Sequence, residues 1–172
     1  MNWIFGDNIN TDLITPGRYN ITTNPRDMAS IAFIEYRPEF AKTVKKGDFL
    51  VAGNNFGCGS SRETAAIALK FSGIRAILAT SFARIFYRNC LNHGLLAVMV
   101  DTSDIDEQDI LLLNIEKRLL QNTTKKWERT IDLPEFAVTL HTTNGVIPYI
   151  KKHGIEGLSA LNRSTTKKHH KL

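Results

Sequence analysis

Residues 49–63 read FLVAGNNFGCGSSRE. The first four are apolar and predict a buried strand over Phe49–Ala52, and a helical pattern follows through Phe71. The turn from this strand to the helix therefore contains two glycines, two serines and an arginine. Free backbone N–H groups and the positive end of the helix dipole make such a turn a favourable site for an anion.

The loop Gly57-Cys58-Gly59 is predicted to hold the anion, because its glycines can adopt positive φ and expose N–H groups without a Cβ in the way. Ser60 and Glu63 also match a capping box, in which the serine would only cap a helix that begins there and ends at Phe71. Arg62 favours the alternative, a site built for negative charge. The local sequence leaves both interpretations of Ser60 open.

Apolar strands alternate with helices over the first hundred residues. This alternation predicts a parallel sheet that is buried on both faces, with its ligand at the carboxyl ends of the strands. The predicted strands are residues 3–5, 49–52, 76–79 and 95–100, and the predicted helices are residues 24–36, 39–43, 60–71 and 81–91.

After residue 100 the pattern changes to short strands separated by polar turns. Residues 110–115, 118–121 and 127–131 are predicted strands, and residues 134–142 and 145–152 are predicted helices. The acidic residues between 101 and 109 lack the spacing of a calcium loop and predict a solvated turn. The predicted fold class is therefore α/β, with a mostly parallel central sheet and an antiparallel C-terminal appendage.

A length of 172 residues suits a single domain with its own core. Residues 1–150 contain 16 basic and 16 acidic side chains, so a basic surface for nucleic acid is not expected. We expect residues 1–160 to fold as one domain and the basic residues 161–172 to form a disordered tail. The sequence has no recognisable export signal or membrane-spanning run, and we expect a soluble protein of the cytoplasm.

Cys58 and Cys90 are the two cysteines of the chain. Two thiols are too few for a zinc or iron–sulfur ligand set, and neither lies in a C-x-x-C pair. We therefore expect this chain to bind no metal and no cofactor itself. Any metal in its chemistry must come from elsewhere.

Three motifs stand in order along the chain, GNNFGCGSSRE at residues 53–63, ATSFARIFYRN at 79–89 and NHGLL at 92–96. Together they resemble the small subunit of 3-isopropylmalate dehydratase, the free-standing form of the swivelling domain of aconitase. GDNINTDLITP at residues 6–16 and VIPYIKK at 146–152 are also similar to that family. The resemblance covers roughly residues 1–152.

The resemblance implies a three-layer swivelling β/β/α domain and a hydro-lyase that isomerises 2-isopropylmalate and 3-isopropylmalate in leucine biosynthesis. Such enzymes remove water from a hydroxy acid and add it back at the neighbouring carbon. A large iron–sulfur subunit is implied as the partner, and it would carry a 4Fe–4S cluster. The small subunit would be active only together with that large subunit. The implied ligand is a hydroxy acid with two or three carboxylates, and neither a membrane nor nucleic acid is expected as a partner.

The same resemblance implies roles for single residues. Ser60 would be the base that removes a proton from the carbon beside a carboxylate, and its alkoxide would need hydrogen-bond donors already in place. Ser61 and Arg62 would hold a substrate carboxylate. The residues that would approach the substrate from an early loop are Thr11, Asp12 and Thr15.

The early loops leave two points open. Asp12 could close an Asx turn instead of meeting the substrate. Ile21 lies in the loop that, in the family, selects the side group of the malate. Its apolar side chain favours an alkyl-substituted malate, with isopropylmalate first and methylmalate or dimethylmalate as alternatives. Homoaconitate is disfavoured, because its third carboxylate would lie unpaired beside isoleucine.

The sequence also allows two functions other than that of an enzyme subunit. A stand-alone anion- or phosphate-binding module would use the same loop, although no lysine follows the glycines as in a P-loop and the third glycine of a dinucleotide fingerprint is missing. An interaction subunit with a nucleic-acid role would need the basic surface that residues 1–150 lack.

Overall fold

Four parallel strands form the central sheet in the computed structural model, which describes residues 1–159 and 161. They are β1 (Asn2–Ile4), β2 (Phe49–Ala52), β3 (Ala76–Ala79) and β4 (Ala97–Met99), and they lie side by side in the order of the sequence. In the sheet, Val51 lies opposite Ile4 on one side and Leu78 on the other. The predicted parallel sheet is confirmed. The predicted basic tail, residues 161–172, lies outside the described residues apart from Leu161.

Helices connect the strands and follow the second sheet. They are α1 (Thr11–Ile14), α2 (Pro25–Ser30), α3 (Glu39–Thr43), α4 (Thr64–Phe71), α5 (Arg84–Asn92), α6 (Glu135–Thr142) and α7 (Val146–His153), with a 3-10 turn at Gly17–Tyr19. In the described part of the chain, none of these helices is long and apolar enough to cross a membrane. Strands β5 (Leu111–Asn114), β6 (Leu119–Asn122) and β7 (Trp127–Thr130) form an antiparallel sheet with β6 in the middle, as the appendage prediction required.

The two faces of the parallel sheet bury different side chains. Leu50 and Ile77 join a core with the helices, which contribute residues such as Phe86. Their neighbours Val51 and Leu78 join a second core with the antiparallel sheet. Crossovers between neighbouring parallel strands are almost always right-handed. Because these strands lie in sequential order, the connecting helices all fall on one face of the sheet, and the antiparallel sheet covers the other face. The result is the three-layer β/β/α arrangement that the resemblance implied.

Helix α4 begins at Thr64, so the predicted start at Ser60 and the capping-box interpretation are wrong. The N–H of Ser60 donates to Oγ1 of Thr11 at 3.0 Å. Oε2 of Glu63 lies 3.1 Å from Nε2 of His93 instead of returning to the serine. A capping box would pair the N–H of Ser60 with the carboxylate of Glu63, but each of these groups bonds to a distant residue instead. The loop therefore continues to Glu63.

Two other predicted helices are shorter in the structure. Helix α5 begins three residues after Ser81, because the hydroxyl of that serine accepts a hydrogen bond from the N–H of Asn55 at 2.8 Å and does not cap a helix. Helix α2 ends at Ser30 and not at residue 36, since Phe33 adopts a positive φ of 57° and donates its N–H to the carbonyl of Ile14. The short helix α1 was not predicted.

Candidate active site

Three loops meet at the carboxyl ends of β1, β2 and β3. They comprise residues 5–10, 53–63 and 80–83. Pairing continues between them beyond the strands, because the N–H of Thr11 donates to the carbonyl of Cys58 at 2.8 Å and the N–H of Phe56 donates to the carbonyl of Ser81 at 3.0 Å. The predicted ligand edge of the sheet therefore carries the glycine-rich segment.

Two glycines are required by the path of the loop. Gly57 has a φ of +78°, and a Cβ built on it would lie 2.1 Å from Cγ of Phe86. Gly59 has a φ of +103°, and a Cβ there would lie 3.2 Å from Oγ1 of Thr11. Because glycine adopts positive φ without strain, the loop can turn tightly between α5 and α1.

Ser60 is held through both its backbone and its side chain. Its N–H donates to Oγ1 of the buried Thr11 at 3.0 Å, which fixes the backbone of the serine. Its Oγ accepts hydrogen bonds from Nε of Arg62 at 3.0 Å and from the backbone N–H of Arg62 at 3.3 Å. Two donors thus point at the hydroxyl oxygen, and donors in this arrangement stabilise negative charge on it.

Arg62 joins the glycine-rich loop to helix α1. Its Nη2 donates to Oδ1 of Asp12 at 2.7 Å. The backbone of Gly17 lies against the same guanidinium, since a Cβ on this glycine would be 3.2 Å from Nη1. Nearly half of the arginine side chain remains exposed. A carboxylate from solvent can therefore still reach the guanidinium.

The start of helix α4 adds positive potential to the site. Among the described residues, no side chain caps the first N–H groups of this helix, whose N-cap position is Glu63. The helix dipole places partial positive charge at the same end. These N–H groups and the guanidinium of Arg62 both place positive potential next to the glycine-rich loop.

Thr11 and Thr15 lie behind the loop, with exposed fractions of 3% and 2%. Thr11 accepts a hydrogen bond from Ser60, and Oγ1 of Thr15 lies 3.4 Å from Oγ1 of Thr64. Asp12 is exposed, and its carboxylate bonds across to Arg62. Of the three residues that the sequence places near the substrate, Asp12 alone faces solvent at the open side of the site.

Ile21 follows the 3-10 turn, and 90% of its surface is exposed. Nδ2 of Asn20 donates to Oγ1 of Thr64 at 3.2 Å and ties this segment to the first residue of α4. Gly17, in the same segment, packs against Arg62. The segment therefore borders the arginine, and its apolar side chain is open to a ligand or a partner.

Sequence reasoning missed Asn89, which lies on α5 and is 7% exposed. Its Nδ2 donates to the carbonyl of Ser61 at 3.2 Å and to the carbonyl of Arg62 at 3.5 Å. A polar residue on the buried face of a helical pattern is itself a signal, because buried polar groups nearly always have a partner. The contact connects α5 to the segment that holds Ser60.

The two cysteines lie in different surroundings. Cys58 is partly buried, and its Sγ lies 3.6 Å from the carbonyl oxygen of Asn8. Cys90 is fully buried, and burial raises the pKa of its thiol. Within residues 1–159 and 161, no group of three or more His, Cys, Asp and Glu side chains could hold a metal ion. The groups of this chain that meet at the site are the hydroxyl of Ser60 and the guanidinium and backbone N–H of Arg62.

Comparison with known proteins supports the arrangement. The model of the aconitase C-terminal domain family matches residues 4–103, a range that contains all three loops of the site. 3-isopropylmalate dehydratase small subunit 2 from Archaeoglobus fulgidus is 47% identical over 154 residues, which cover 88% of this chain and 93% of that protein. The chain belongs to the 3-isopropylmalate dehydratase small-subunit family.

Two further proteins resemble this member of the 3-isopropylmalate dehydratase small-subunit family. The methanogen homoaconitase small subunit from Methanocaldococcus jannaschii is 43% identical over 149 residues, which cover 86% of this chain and 88% of that protein. The crystal structure of 3-isopropylmalate dehydratase from the same organism has a TM-score of 0.85 at 40% identity, over 92% of this chain and 96% of that chain. This agreement confirms the predicted fold class.

Proposed function

We propose that this chain is the small subunit of a hydro-lyase that interconverts 2-isopropylmalate and 3-isopropylmalate by dehydration and rehydration, a cytoplasmic step of leucine biosynthesis. The observation that carries the proposal is the hydroxyl of Ser60, which accepts two hydrogen bonds from Arg62 in the glycine-rich loop. The name of the relative from Archaeoglobus fulgidus supports the same reaction.

Ser60 is the base in this proposal. As an alkoxide it takes a proton from the carbon next to a carboxylate, and on rehydration the hydroxyl gives a proton back. A serine hydroxyl is too weak an acid to do this in water, so its alkoxide needs donors that are in place before the reaction. The backbone N–H and the Nε of Arg62 are donors of this kind, at 3.3 and 3.0 Å.

Arg62 and Ser61 bind a carboxylate of the substrate. The two tasks of the arginine fall on different atoms, since Nε faces Ser60 and Nη2 faces outward. The 2.7 Å contact between Nη2 and Asp12 supports this assignment, because it is a carboxylate held at the outer side of the guanidinium. Ser61 is exposed next to it and offers a hydroxyl donor.

A large subunit completes the active site. A 4Fe–4S cluster on that subunit would supply, when bound, the Lewis acid that helps the substrate hydroxyl to leave. This chain handles the proton and the carboxylate, through Ser60 and Arg62. The exposure of Ser61 and Arg62 fits a site that a second polypeptide closes.

Isopropylmalate is the proposed substrate because Ile21, in the loop beside Arg62, is apolar and 90% exposed. Methylmalate and dimethylmalate also carry alkyl groups and are the nearest alternatives. Homoaconitate is the alternative supported by the 43% identity to the methanogen homoaconitase small subunit. Its third carboxylate would need a cation that Ile21 does not provide.

Coexpression with the large subunit encoded nearest to this chain tests the proposal. The complex is purified, its cluster is reconstituted without oxygen, and turnover is measured with 2-isopropylmalate, methylmalate, dimethylmalate and homoaconitate. We expect the highest kcat/KM with 2-isopropylmalate and no turnover by this chain alone. A cluster-loaded complex that converts none of these acids would contradict the proposal, and thermal stabilisation of the chain alone by nucleotides would favour a stand-alone phosphate-binding module.

A further inference from the structure

Helix α5 contacts the glycine-rich loop at two points that are one turn apart. Phe86 packs against Gly57, where a Cβ would lie within 2.5 Å of three of its atoms. Asn89 donates to the carbonyls of Ser61 and Arg62. Residues three apart lie on the same face of a helix. One face of α5 therefore supports the loop both before and after Ser60.

The contact of Asn89 acts on one particular peptide group. The carbonyl of Ser61 and the N–H of Arg62 belong to the same planar trans peptide, so they point in opposite directions. The carbonyl accepts from Nδ2 of Asn89 at 3.2 Å, and the N–H donates to Oγ of Ser60 at 3.3 Å. The hydrogen bond on one side of the peptide therefore sets the direction of the donor on the other side.

A second contact restrains the same segment. Nδ2 of Asn89 also lies 3.5 Å from the carbonyl oxygen of Arg62, so one buried amide group spans two successive carbonyls. Hydrogen bonds in a chain polarise one another. The bond from Asn89 thus makes the N–H of Arg62 a better donor as well as a better aligned one.

We propose that Asn89 is a positioning residue for the base Ser60, an inference that rests on the proposed function. Asn89 holds the peptide between Ser61 and Arg62 so that the N–H of Arg62 points at the serine oxygen when this oxygen carries negative charge. Without the amide, the peptide rotates and the barrier to proton transfer rises. The guanidinium still binds the carboxylate, so substrate affinity changes little.

The test uses the complex with the large subunit and the variants Asn89→Asp and Asn89→Leu. Both keep the approximate size of the side chain and remove the N–H donor. We expect kcat to fall about 10- to 100-fold, the scale of lost or misplaced transition-state donors, while KM stays within about twofold. With substrate deuterated at the carbon that loses the proton, we expect a larger isotope effect on kcat than in the wild type.

Asn92→Asp is the matched control, because Asn92 is an exposed asparagine on the same helix. We expect it to keep the kcat and the isotope effect of the wild type. A purely structural role of Asn89 would reduce the amount of active complex without changing the isotope effect, and that result would overturn the inference.

Ser60→Ala, assayed in parallel, distinguishes a failure of the proposed function from a failure of the inference about Asn89. Activity in Ser60→Ala overturns the proposed function together with the inference, whereas inactive Ser60→Ala with wild-type kinetics in both Asn89 variants overturns the inference alone.

Hydrogen exchange of the full-length chain gives a readout that needs no cluster and no turnover. In Asn89→Leu the amide proton of Arg62 loses its aligned acceptor, and we expect it to exchange about tenfold faster, which corresponds to one hydrogen bond. Amides in the middle of β3 serve as the reference for global stability. Unchanged exchange at Arg62 in a folded Asn89→Leu chain would overturn the inference.

Discussion

Nε of Arg62 lies 3.0 Å from Oγ of Ser60 and donates a hydrogen bond to it, and the backbone N–H of the same arginine donates to the same oxygen. Two hydrogen-bond donors to the serine oxygen are thus supplied by this chain itself, without a partner subunit. Removal of this oxygen is the most direct test of its role.

Ser60→Ala should reduce kcat of the assembled enzyme by about 10³-fold or more, because a positioned base contributes on the order of 10²- to 10⁴-fold. Its unfolding free energy should change by no more than about 1 kcal/mol, since Ser60 lies outside α4 and does not cap it. Steady-state kinetics and urea unfolding check both parts. Ser30→Ala, on the exposed end of α2, serves as the control with normal kcat. Near-normal turnover in Ser60→Ala would refute the assigned role.

Gly57→Ala should destabilise the chain by about 2 to 5 kcal/mol, because alanine is strained at a φ of +78° and its Cβ would overlap Phe86. Gly6→Ala is the matched control, since no heavy atom lies within 4 Å of the added carbon. Its unfolding free energy should stay within about 0.5 kcal/mol of the wild type. Chemical denaturation measures both variants, and equal stabilities would show that the loop relaxes around the added methyl group.

Asp48 should make the unfolding free energy of the chain depend on pH in the acidic range. Burial alone would raise the pKa of its carboxyl, but hydrogen bonds from the N–H of Lys45, the amino group of Met1 and Nε1 of Trp3 outweigh it and lower the pKa below its ordinary value. A lowered folded pKa gives stability that is present above the unfolded value of about 3.9 and is lost as the pH falls below it.

Asp48→Asn should therefore be less stable than the wild type at pH 7, and the difference in unfolding free energy should narrow as the pH falls from about 4 through the lowered pKa of the folded state. Urea unfolding at a series of pH values measures this. A difference that stays constant over the series would show that the charge of Asp48 contributes nothing.

Ile21→Arg should shift substrate preference towards acids with a third carboxylate. The arginine supplies the cation that such a carboxylate lacks beside isoleucine, and we expect the ratio of kcat/KM for homoaconitate over isopropylmalate to rise at least about tenfold. Ile110→Arg is the control, because Ile110 is also exposed but precedes β5 of the other sheet. If Ile21→Arg leaves the ratio as it was, this loop does not select the side group.

The strands could be predicted well from the sequence. β2 and β3 have the predicted bounds, because their four residues are apolar and are buried on both faces of the sheet. Local composition alone fixes such a strand. The glycine-rich segment was likewise placed correctly, since a turn that needs positive φ at Gly57 and Gly59 requires glycine.

The start of α4 could not be predicted in the same way. The capping-box pattern depends on groups within four residues, whereas the N–H of Ser60 bonds to Thr11, 49 positions away. Helix propensity is a weak preference that such tertiary contacts override. Asn89 was missed for a related reason. Its partners are the carbonyls of Ser61 and Arg62, and no periodic pattern reveals them.

Asp12 keeps the guanidinium of Arg62 in one orientation before any ligand arrives. A dicarboxylic acid entering the proposed site thus meets an arginine whose rotamer was fixed during folding, when up to about 2 kcal/mol of side-chain entropy is lost. Binding becomes an exchange of one carboxylate for another at the same nitrogen. The displaced aspartate side chain is largely exposed, so water solvates its charge as soon as the exchange occurs. The chain thus already forms, between Arg62 and Asp12, the kind of contact that a substrate carboxylate would make.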